Sequence, residues 1–180
     1  LKAYSFLVFS KLEGAVTAGM IYLGDRLGLF QALAEAQGPL TTNALADATG
    51  LDERWVREWA RNQAAARLVA WEPADRPAED AQRFFLTPEA VVVLADEQHV
   101  AYGMGQFARL PQTMGVLERL PEAFRSGLGL PYDAFGPDGA VGIERSFAPW
   151  YHNELVGTAL PMLDGVVAKL KAGGRAADIG

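Results

Sequence analysis

The segment 39–89 alternates helix-start signals with short strands, and this order leaves few folds open. Leu40 is predicted to form a short strand before a helix that is capped by the threonines at 41 and 42. Asp52 is a good cap for a second helix, which we expect to end near Ala66. Two helices separated by a short turn are therefore predicted at the start of this segment.

Two short strands are predicted next, over 68–72 and 83–86, with the polar segment 73–82 between them. The triplet Thr87-Pro88-Glu89 then begins another helix, because it supplies a cap, a proline in the first turn and an acid favourable to the helix dipole. Helices followed by a two-stranded wing have the order of a winged helix-turn-helix. The sequence thus predicts a mainly α fold with a small β-wing.

The N-terminal segment 7–37 carries apolar residues at helical spacing, with glycines between them. This pattern predicts two helices or one broken helix. A helix rich in glycine and alanine can pack closely against another helix, and that helix can belong to the same subunit or to a partner.

Composition narrows the class of protein. With 50% hydrophobic residues and 21% charged residues the chain is globular, and the absence of cysteine excludes disulfides and thiolate metal sites. The uncharged stretches, such as 14–24, are shorter than the ~20 apolar residues of a membrane-spanning helix. We therefore expect a soluble, cytoplasmic protein that does not bind membranes.

The second helix of the predicted helix-turn-helix argues against DNA as the main partner. Arg54, Arg57 and Arg61 share one face, but Glu53 and Glu58 lie three or four residues from them and neutralise that face. The formal net charge of -6 also opposes binding to phosphates. The other face is an apolar stripe, predicted to be core or a subunit contact: Trp55, Val56, Trp59 and Ala60.

The C-terminal half is predicted to be helical over 97–125, with breaks at Pro111 and Pro121. The segment 126–147 is rich in glycine and proline, which is typical of a loop or lid. A helical stripe over 155–170 follows.

The sequence carries little self-contained chemistry. It has no nucleophile-elbow, zinc-protease or phosphate-loop motif, and its two histidines are His99 and His152. His99 is interpreted as an ordinary surface residue, whereas His152 lies in an aromatic and polar cluster over 147–154 that either lines a pocket or caps a helix. No catalytic base and no metal site are assigned.

The last residues resemble the start of a nucleotide-type α/β domain. A short apolar strand whose acid Asp178 precedes Gly180 is typical of the strand that leads into a cofactor loop. We therefore expect the sequence to be a segment of a longer protein.

Together these segments resemble the front part of S-adenosylmethionine-dependent methyltransferases that act on small molecules and have an N-terminal winged-helix domain. The resemblance covers most of the chain and rests on these segments: 23–30 (LGDRLGLF), 40–46 (LTTNALA), 52–59 (DERWVREW), 63–66 (QAAA), 85–89 (FLTPE), 160–170 (LPMLDGVVAKL) and 173–180 (GGRAADIG).

The resemblance implies a helical dimerisation and winged-helix domain over 1–96, a helical linker or lid over 97–172, and the first strand of a Rossmann-like domain over 173–180. It implies S-adenosylmethionine as cofactor, a small-molecule methyl acceptor and a homodimer formed through the N-terminal helices. The implied cofactor contacts are Asp178, Gly180, Tyr151 and His152, and the implied substrate-pocket residues are Tyr132 and Trp150.

Two features depart from the family pattern. Arg67 stands where the family commonly has a helix-ending glycine, and the wing over 73–82 is long. Two other functions stay open from the residues alone: a winged-helix transcription regulator that binds DNA, and a dimerisation module without a ligand.

Overall fold

The computed structural model describes residues 1–73 and 82–177. It opens with a long helix, α1 (Lys2–Arg26), which is followed by α2 (Leu29–Glu35). Gly28 lies between them with a φ of 72°, a left-handed conformation that glycine adopts without strain. The prediction of two helices or one broken helix over 7–37 is confirmed as two.

The helix-turn-helix consists of α3 (Thr42–Thr49) and α4 (Glu53–Ala65), with strand β1 (Leu40–Thr41) before it. Both predicted caps form. Thr41 Oγ1 accepts a hydrogen bond from the Ala44 amide at 3.1 Å, and Asp52 Oδ1 accepts one from the Trp55 amide at 3.4 Å. Local sequence signals therefore set both helix starts.

The wing completes a three-stranded antiparallel sheet. Strands β2 (Ala70–Glu72) and β3 (Arg83–Phe85) pair with each other, and β3 also pairs with β1, which gives the order β1-β3-β2. Both wing strands begin or end within two residues of their predicted bounds. Of the wing tip predicted over 73–82, residues 74–81 lie outside the described residues.

The core lies under the helix-turn-helix and is closed by α1. Trp59 of α4 is 3% exposed, its indole Nε1 donates a hydrogen bond to the Met20 carbonyl of α1 at 2.9 Å, and its ring meets Phe30 edge to face at 5.2 Å. Val56 and Ala60 are buried beside it. The predicted apolar stripe is thus core except at Trp55, which is 73% exposed.

On the other face of α4 the expected pair of Glu53 and Arg57 is formed, whereas Arg61 contacts Gln82. Arg57 lies 3.6 Å from Glu53 in an ion pair within the helix, and Arg61 Nε donates a hydrogen bond to Gln82 at 3.2 Å. This arrangement supports the interpretation of a solvated face rather than a face built for phosphates.

Helix α5 (Pro88–Leu94) follows the wing, and three short helices come after it: α6 (Met104–Ala108), α7 (Leu110–Gly115) and α8 (Leu120–Ser126). Thr87 caps α5 through a hydrogen bond from the Ala90 amide at 3.3 Å. Pro111 and Pro121 lie in the first turns of α7 and α8, so the helix breaks predicted at these two prolines are confirmed.

The prediction of a loop over 126–147 is wrong for the second half of that segment, whereas its role as a lid stays a prediction. Helix α9 (Pro137–Trp150) occupies its second half. Its glycines serve close packing: a methyl group on Gly139 would lie 3.3 Å from Phe135 Cβ, and one on Gly142 would overlap the Arg109 side chain. Tertiary contact therefore overrides the loop preference of glycine in this helix.

The helical stripe predicted over 155–170 is divided. A π-helical segment (Tyr151–Ala159) follows α9 directly, and the last helix, α10 (Val166–Lys171), begins only after a left-handed turn at Gly165, where φ is 75°. Residues 174–177 have no regular secondary structure. The strand predicted at the C-terminus extends into residues 178–180, outside the described residues.

Candidate functional site

An aromatic segment, defined as residues 147–152, occupies the end of α9 and the first turn of the π-helical segment. Trp150 and Tyr151 meet edge to face at 5.3 Å, and Phe147 lies 6.5 Å from Tyr151. The three side chains are 41–51% exposed. Their ring faces are therefore available to a ligand, and aromatic faces attract cations and stack on planar bases.

The local backbone explains the wider helical turn at this point. Pro149 lies inside α9 and has no amide hydrogen to donate. Asn153 Nδ2 donates hydrogen bonds to the Pro149 carbonyl at 2.7 Å and to the Gln98 carbonyl at 2.8 Å, which ties the turn to the α5–α6 loop.

Behind the aromatic segment lies an ionic network, defined as Asp25, Glu97, Tyr102 and Arg145. Arg145 donates two hydrogen bonds to the Asp25 carboxylate, at 2.6 and 2.9 Å, and one to Glu97 at 2.6 Å. It also donates to the Tyr102 hydroxyl and lies over the Tyr102 ring, with Cζ 5.5 Å from the ring centre. This network joins α1, the α5–α6 loop and α9.

The network shifts the proton affinity of its members. The hydrogen bond from Arg145 lowers the pKa of Glu97. Burial, together with the charge of Asp25, raises the pKa of Tyr102, and the hydrogen bonds to Asp25 raise the pKa of Arg145. At neutral pH the network therefore holds a neutral phenol between two carboxylates and a permanent cation.

Two cavities adjoin the network. The larger, of about 390 Å³, lies between the end of α1, the α6–α7 region and α9, and Asp25, Gln112, Asp138 and Arg145 contribute its polar wall. The smaller, of about 110 Å³, is lined by His152 together with Glu97, Gln98, Tyr102 and Arg145. The structure thus brings His152 to the network.

The remaining predicted residues are placed differently. Tyr132 is 72% exposed and borders another small cavity, of about 60 Å³, beside Gln112 and Gly139. It does not share a cavity with Trp150, Tyr151 or His152 among those described. Asp178 and Gly180 lie outside the described residues, so their assignment to the cofactor stays a prediction.

Sequence reasoning missed the four residues of the network. Asp25 and Arg145 are 120 residues apart, and Arg145 lies in a segment interpreted as loop. One signal was present: Asp25 is an acidic residue at the end of a long apolar stripe, directly after a glycine. Among residues 1–73 and 82–177, no group of three or more metal-ligating side chains comes together.

A second surface lies on the first half of α1. Its large apolar side chains are 50–75% exposed: Tyr4, Phe6, Leu7, Val8, Phe9, Leu12 and Val16. By length and composition alone α1 is also long and apolar enough to cross a membrane, because a few charged residues do not exclude a span. The expectation that the uncharged stretches are too short for a membrane-spanning helix therefore does not hold for α1. One such helix near the N-terminus is weak support for a membrane span, because core helices and signal sequences also pass.

Comparison with known proteins supports the fold from two directions. Residues 15–95 match the family described as the Rv2258c-like winged HTH domain. None of the curated proteins compared with the sequence matches it significantly.

Several solved structures share the fold. Mitomycin 7-O-methyltransferase MmcR has a TM-score of 0.60 and 24% identity, with 83% of this chain and 45% of that chain covered. Human N-acetylserotonin methyltransferase, in complex with SAM, has a TM-score of 0.62 and 18% identity, with 92% of this chain and 50% of that chain covered. RosA, the N,N-8-amino-8-demethyl-D-riboflavin dimethyltransferase from Streptomyces davawensis, has a TM-score of 0.57 and 23% identity, with 84% of this chain and 44% of that chain covered.

The chain spans about half the length of these three structures. Their aligned parts include the winged helix and the helices that follow it, since at least 83% of this chain is covered in each. The chain therefore has a winged helix-turn-helix over 15–95 and the fold of part of these methyltransferases.

Proposed function

We propose that the chain is the N-terminal dimerisation and substrate-lid part of an S-adenosylmethionine-dependent methyltransferase that acts on a small molecule. One observation carries the proposal: three structures named as small-molecule methyltransferases share this fold over 83–92% of the chain. The covered share exceeds the winged helix over 15–95, so the likeness extends into the helices that follow it.

The aromatic segment suits a sulfonium cofactor. Its ring faces are exposed and electron-rich, so Tyr151 fits a contact with the cation or with a planar base, and His152 supplies a polar edge beside it. Asp178 and Gly180 would complete the cofactor site, and Trp150 would contact the acceptor beside it, whereas Tyr132 borders a separate cavity. When bound, the cofactor supplies a methyl group for in-line displacement by an acceptor atom.

In this proposal the residues of the chain align the reactants and exclude water. Holding two reactants in register lowers the entropic part of the barrier, and a closed site prevents hydrolysis. The helical layer of α6 to α9 and the aromatic rings would provide an apolar wall for this purpose. No general base is assigned among the described residues.

Calorimetric titration of the whole protein with S-adenosylhomocysteine tests the proposal. We expect wild-type protein to bind it, and Tyr151→Ala and His152→Ala to weaken binding by roughly tenfold, as the loss of a stacking or hydrogen-bonding contact does. Phe124→Ala is the matched control, because Phe124 is 87% exposed on α8. Unchanged binding in both site variants would remove these residues from the site.

The homodimer belongs to the same proposal and is supported by the exposed apolar side chains on α1. Apolar side chains of this size rarely stay in contact with water over so long a stretch of helix. We expect light scattering to give twice the subunit mass for the wild-type protein. The double variant Phe9→Asp with Leu12→Asp should have the mass of a single subunit. A monomeric wild-type protein would contradict the interface.

DNA binding is the rival function, and the winged helix itself is its only support. The charge pair on the solvent face of α4 and the formal net charge of -6 oppose it. Strongly salt-dependent binding to duplex DNA, without binding to S-adenosylhomocysteine, would replace the proposed function by that of a regulator. Binding to neither would leave a dimerisation module.

A further inference from the structure

The aromatic segment continues α9, and Asn153 directly after it donates a hydrogen bond to the Gln98 carbonyl of the α5–α6 loop. Trp150 is the last residue of α9, and Tyr151 and His152 continue from it without a break. Any change in the position of α9 against the winged helix therefore carries the three side chains with it.

Two kinds of contact dock α9 on the winged-helix side. The first is close backbone packing, since a methyl group on Gly105 of α6 would lie 2.6 Å from the Ser146 Cα of α9. The second is the ionic network, in which the guanidinium of Arg145 lies in the fork of the Asp25 carboxylate at the end of α1. The Asp25 side chain is 11% exposed and that of Arg145 is 31% exposed.

These burial values make the docked position depend on the ion pair. A carboxylate removed from water is strongly unfavourable unless a cation and hydrogen bonds compensate it. Arg145 supplies both in bidentate form, a geometry that lysine cannot reproduce. Displacement of α9 would remove this compensation from Asp25, so the pair favours the docked position.

We infer that the Asp25–Arg145 pair is a latch between the dimerisation helix and the aromatic segment, and that Arg145 is a positioning residue for ligand binding there. The inference rests on the proposed function for the identity of the ligand. It adds that α1, which carries the proposed dimer surface at one end, holds the site segment at its other end.

Hydrogen–deuterium exchange of the whole protein tests the latch directly. We expect Asp25→Asn and Arg145→Gln each to raise exchange over 137–159 by roughly tenfold, within the range of coupling between contacting residues, with exchange over 42–65 unchanged. Affinity for S-adenosylhomocysteine should fall by a similar factor. Arg145→Lys should have an exchange rate and an affinity between those of the wild type and Arg145→Gln, because lysine keeps the charge but loses the bidentate contact.

The double variant Asp25→Asn with Arg145→Gln separates the latch from simple loss of structure. It should be no worse than either single variant, because it leaves no unpaired buried charge. Arg125→Gln is the matched control, since Arg125 forms an exposed ion pair with Glu122. Additive effects, or exchange over 137–159 that stays at the wild-type rate, would overturn the inference.

The outcomes also separate this inference from the proposed function. Increased exchange with unchanged affinity would overturn the positioning role and leave the methyltransferase proposal intact. A wild-type protein that binds no S-adenosylhomocysteine would refute the proposed function and, with it, the positioning role of Arg145, while exchange would still decide whether the pair holds α9.

Discussion

Gly24 of α1 and Trp59 of α4 approach each other so closely that a methyl group on Gly24 would lie 2.6 Å from Cζ2 of the Trp59 ring. The Phe30 ring stands at 2.7 Å from the same position. Both rings are rigid and buried, so neither can move aside at low cost. The crossing of α1 over the helix-turn-helix therefore requires a residue without a side chain.

Gly24→Ala is expected to destabilise the protein by about 1–3 kcal/mol, as overpacking of a core does. This result would oppose intrinsic propensity, because alanine favours a helix over glycine by about 1 kcal/mol. Urea denaturation of both proteins measures the difference.

Gly19→Ala in the same helix is the control, since nothing lies within 4 Å of its added methyl group and it lies beyond the apolar surface over 4–16. It should stabilise the protein by about 0.5–1 kcal/mol. Equal effects of the two substitutions would show that the close approach at Trp59 has no energetic weight.

Arg67 ends α4 in a left-handed conformation, with a φ of 63°. The Leu68 amide donates to the Gln63 carbonyl at 2.9 Å and the Arg67 amide to the Ala64 carbonyl at 3.0 Å, which is the Schellman arrangement. Arg67→Gly should therefore stabilise the protein by about 0.5–1 kcal/mol, because the left-handed cost exceeds the extra backbone entropy of glycine.

The neighbouring substitution Ala66→Gly checks this argument. Ala66 has a φ of -76°, so glycine relieves no strain there and should destabilise the protein by about 0.5–1 kcal/mol. Thermal unfolding measures the stability of both variants. Stability changes of the same sign for Arg67→Gly and Ala66→Gly would show that Arg67 is not strained.

The departure at Arg67 also shows what sequence reasoning can reach. A family pattern that expects glycine locates a left-handed position, and the caps Thr41, Asp52 and Thr87 are found because each acts on an amide three residues away. Signals of this range predicted the winged helix with its helix starts, its strands and the core face of α4.

Helix α9 and the ionic network were beyond that range. Gly139 and Gly142 have loop preferences, and only the contacts with Phe135 and Arg109 explain why they lie in a helix. Asp25 and Arg145 meet across 120 residues, and no local pattern joins them. The aromatic segment could be predicted from its composition, but the network behind it could not.

The stability of the protein is expected to depend on Tyr102 in alkaline solution. Folding raises the pKa of Tyr102, so its contribution is fully present below the unfolded value of about 10 and is lost as pH rises above it. Above pH 10 the free energy of unfolding of the wild-type protein should fall more steeply than that of Tyr102→Phe. The difference should reach up to about 1.4 kcal/mol per pH unit, which is the slope for one proton.

At neutral pH the wild-type protein should be the more stable of the two, because Tyr102→Phe loses the hydrogen bond to Glu97, which measures 3.0 Å. That loss should cost about 1 kcal/mol. Denaturation curves from pH 8 to 11 should therefore converge or cross, with Tyr132→Phe as a control for removing a surface hydroxyl. Parallel curves for wild type and Tyr102→Phe would show that Tyr102 does not set the alkaline limit.

Asn153 is expected to hold the π turn through its side-chain amide. Its Nδ2 donates to the carbonyls of Pro149 and Gln98, so Asn153→Ala should cost about 1 kcal/mol in the free energy of unfolding. Asn153→Asp should cost more although it changes fewer atoms, because an ionised carboxylate has no hydrogen to donate and would face two carbonyl oxygens. Denaturation at pH 7 measures both variants. If Asn153→Asp were the milder of the two, the side chain would not bridge these carbonyls, and the turn that carries Tyr151 and His152 would be held by the backbone alone.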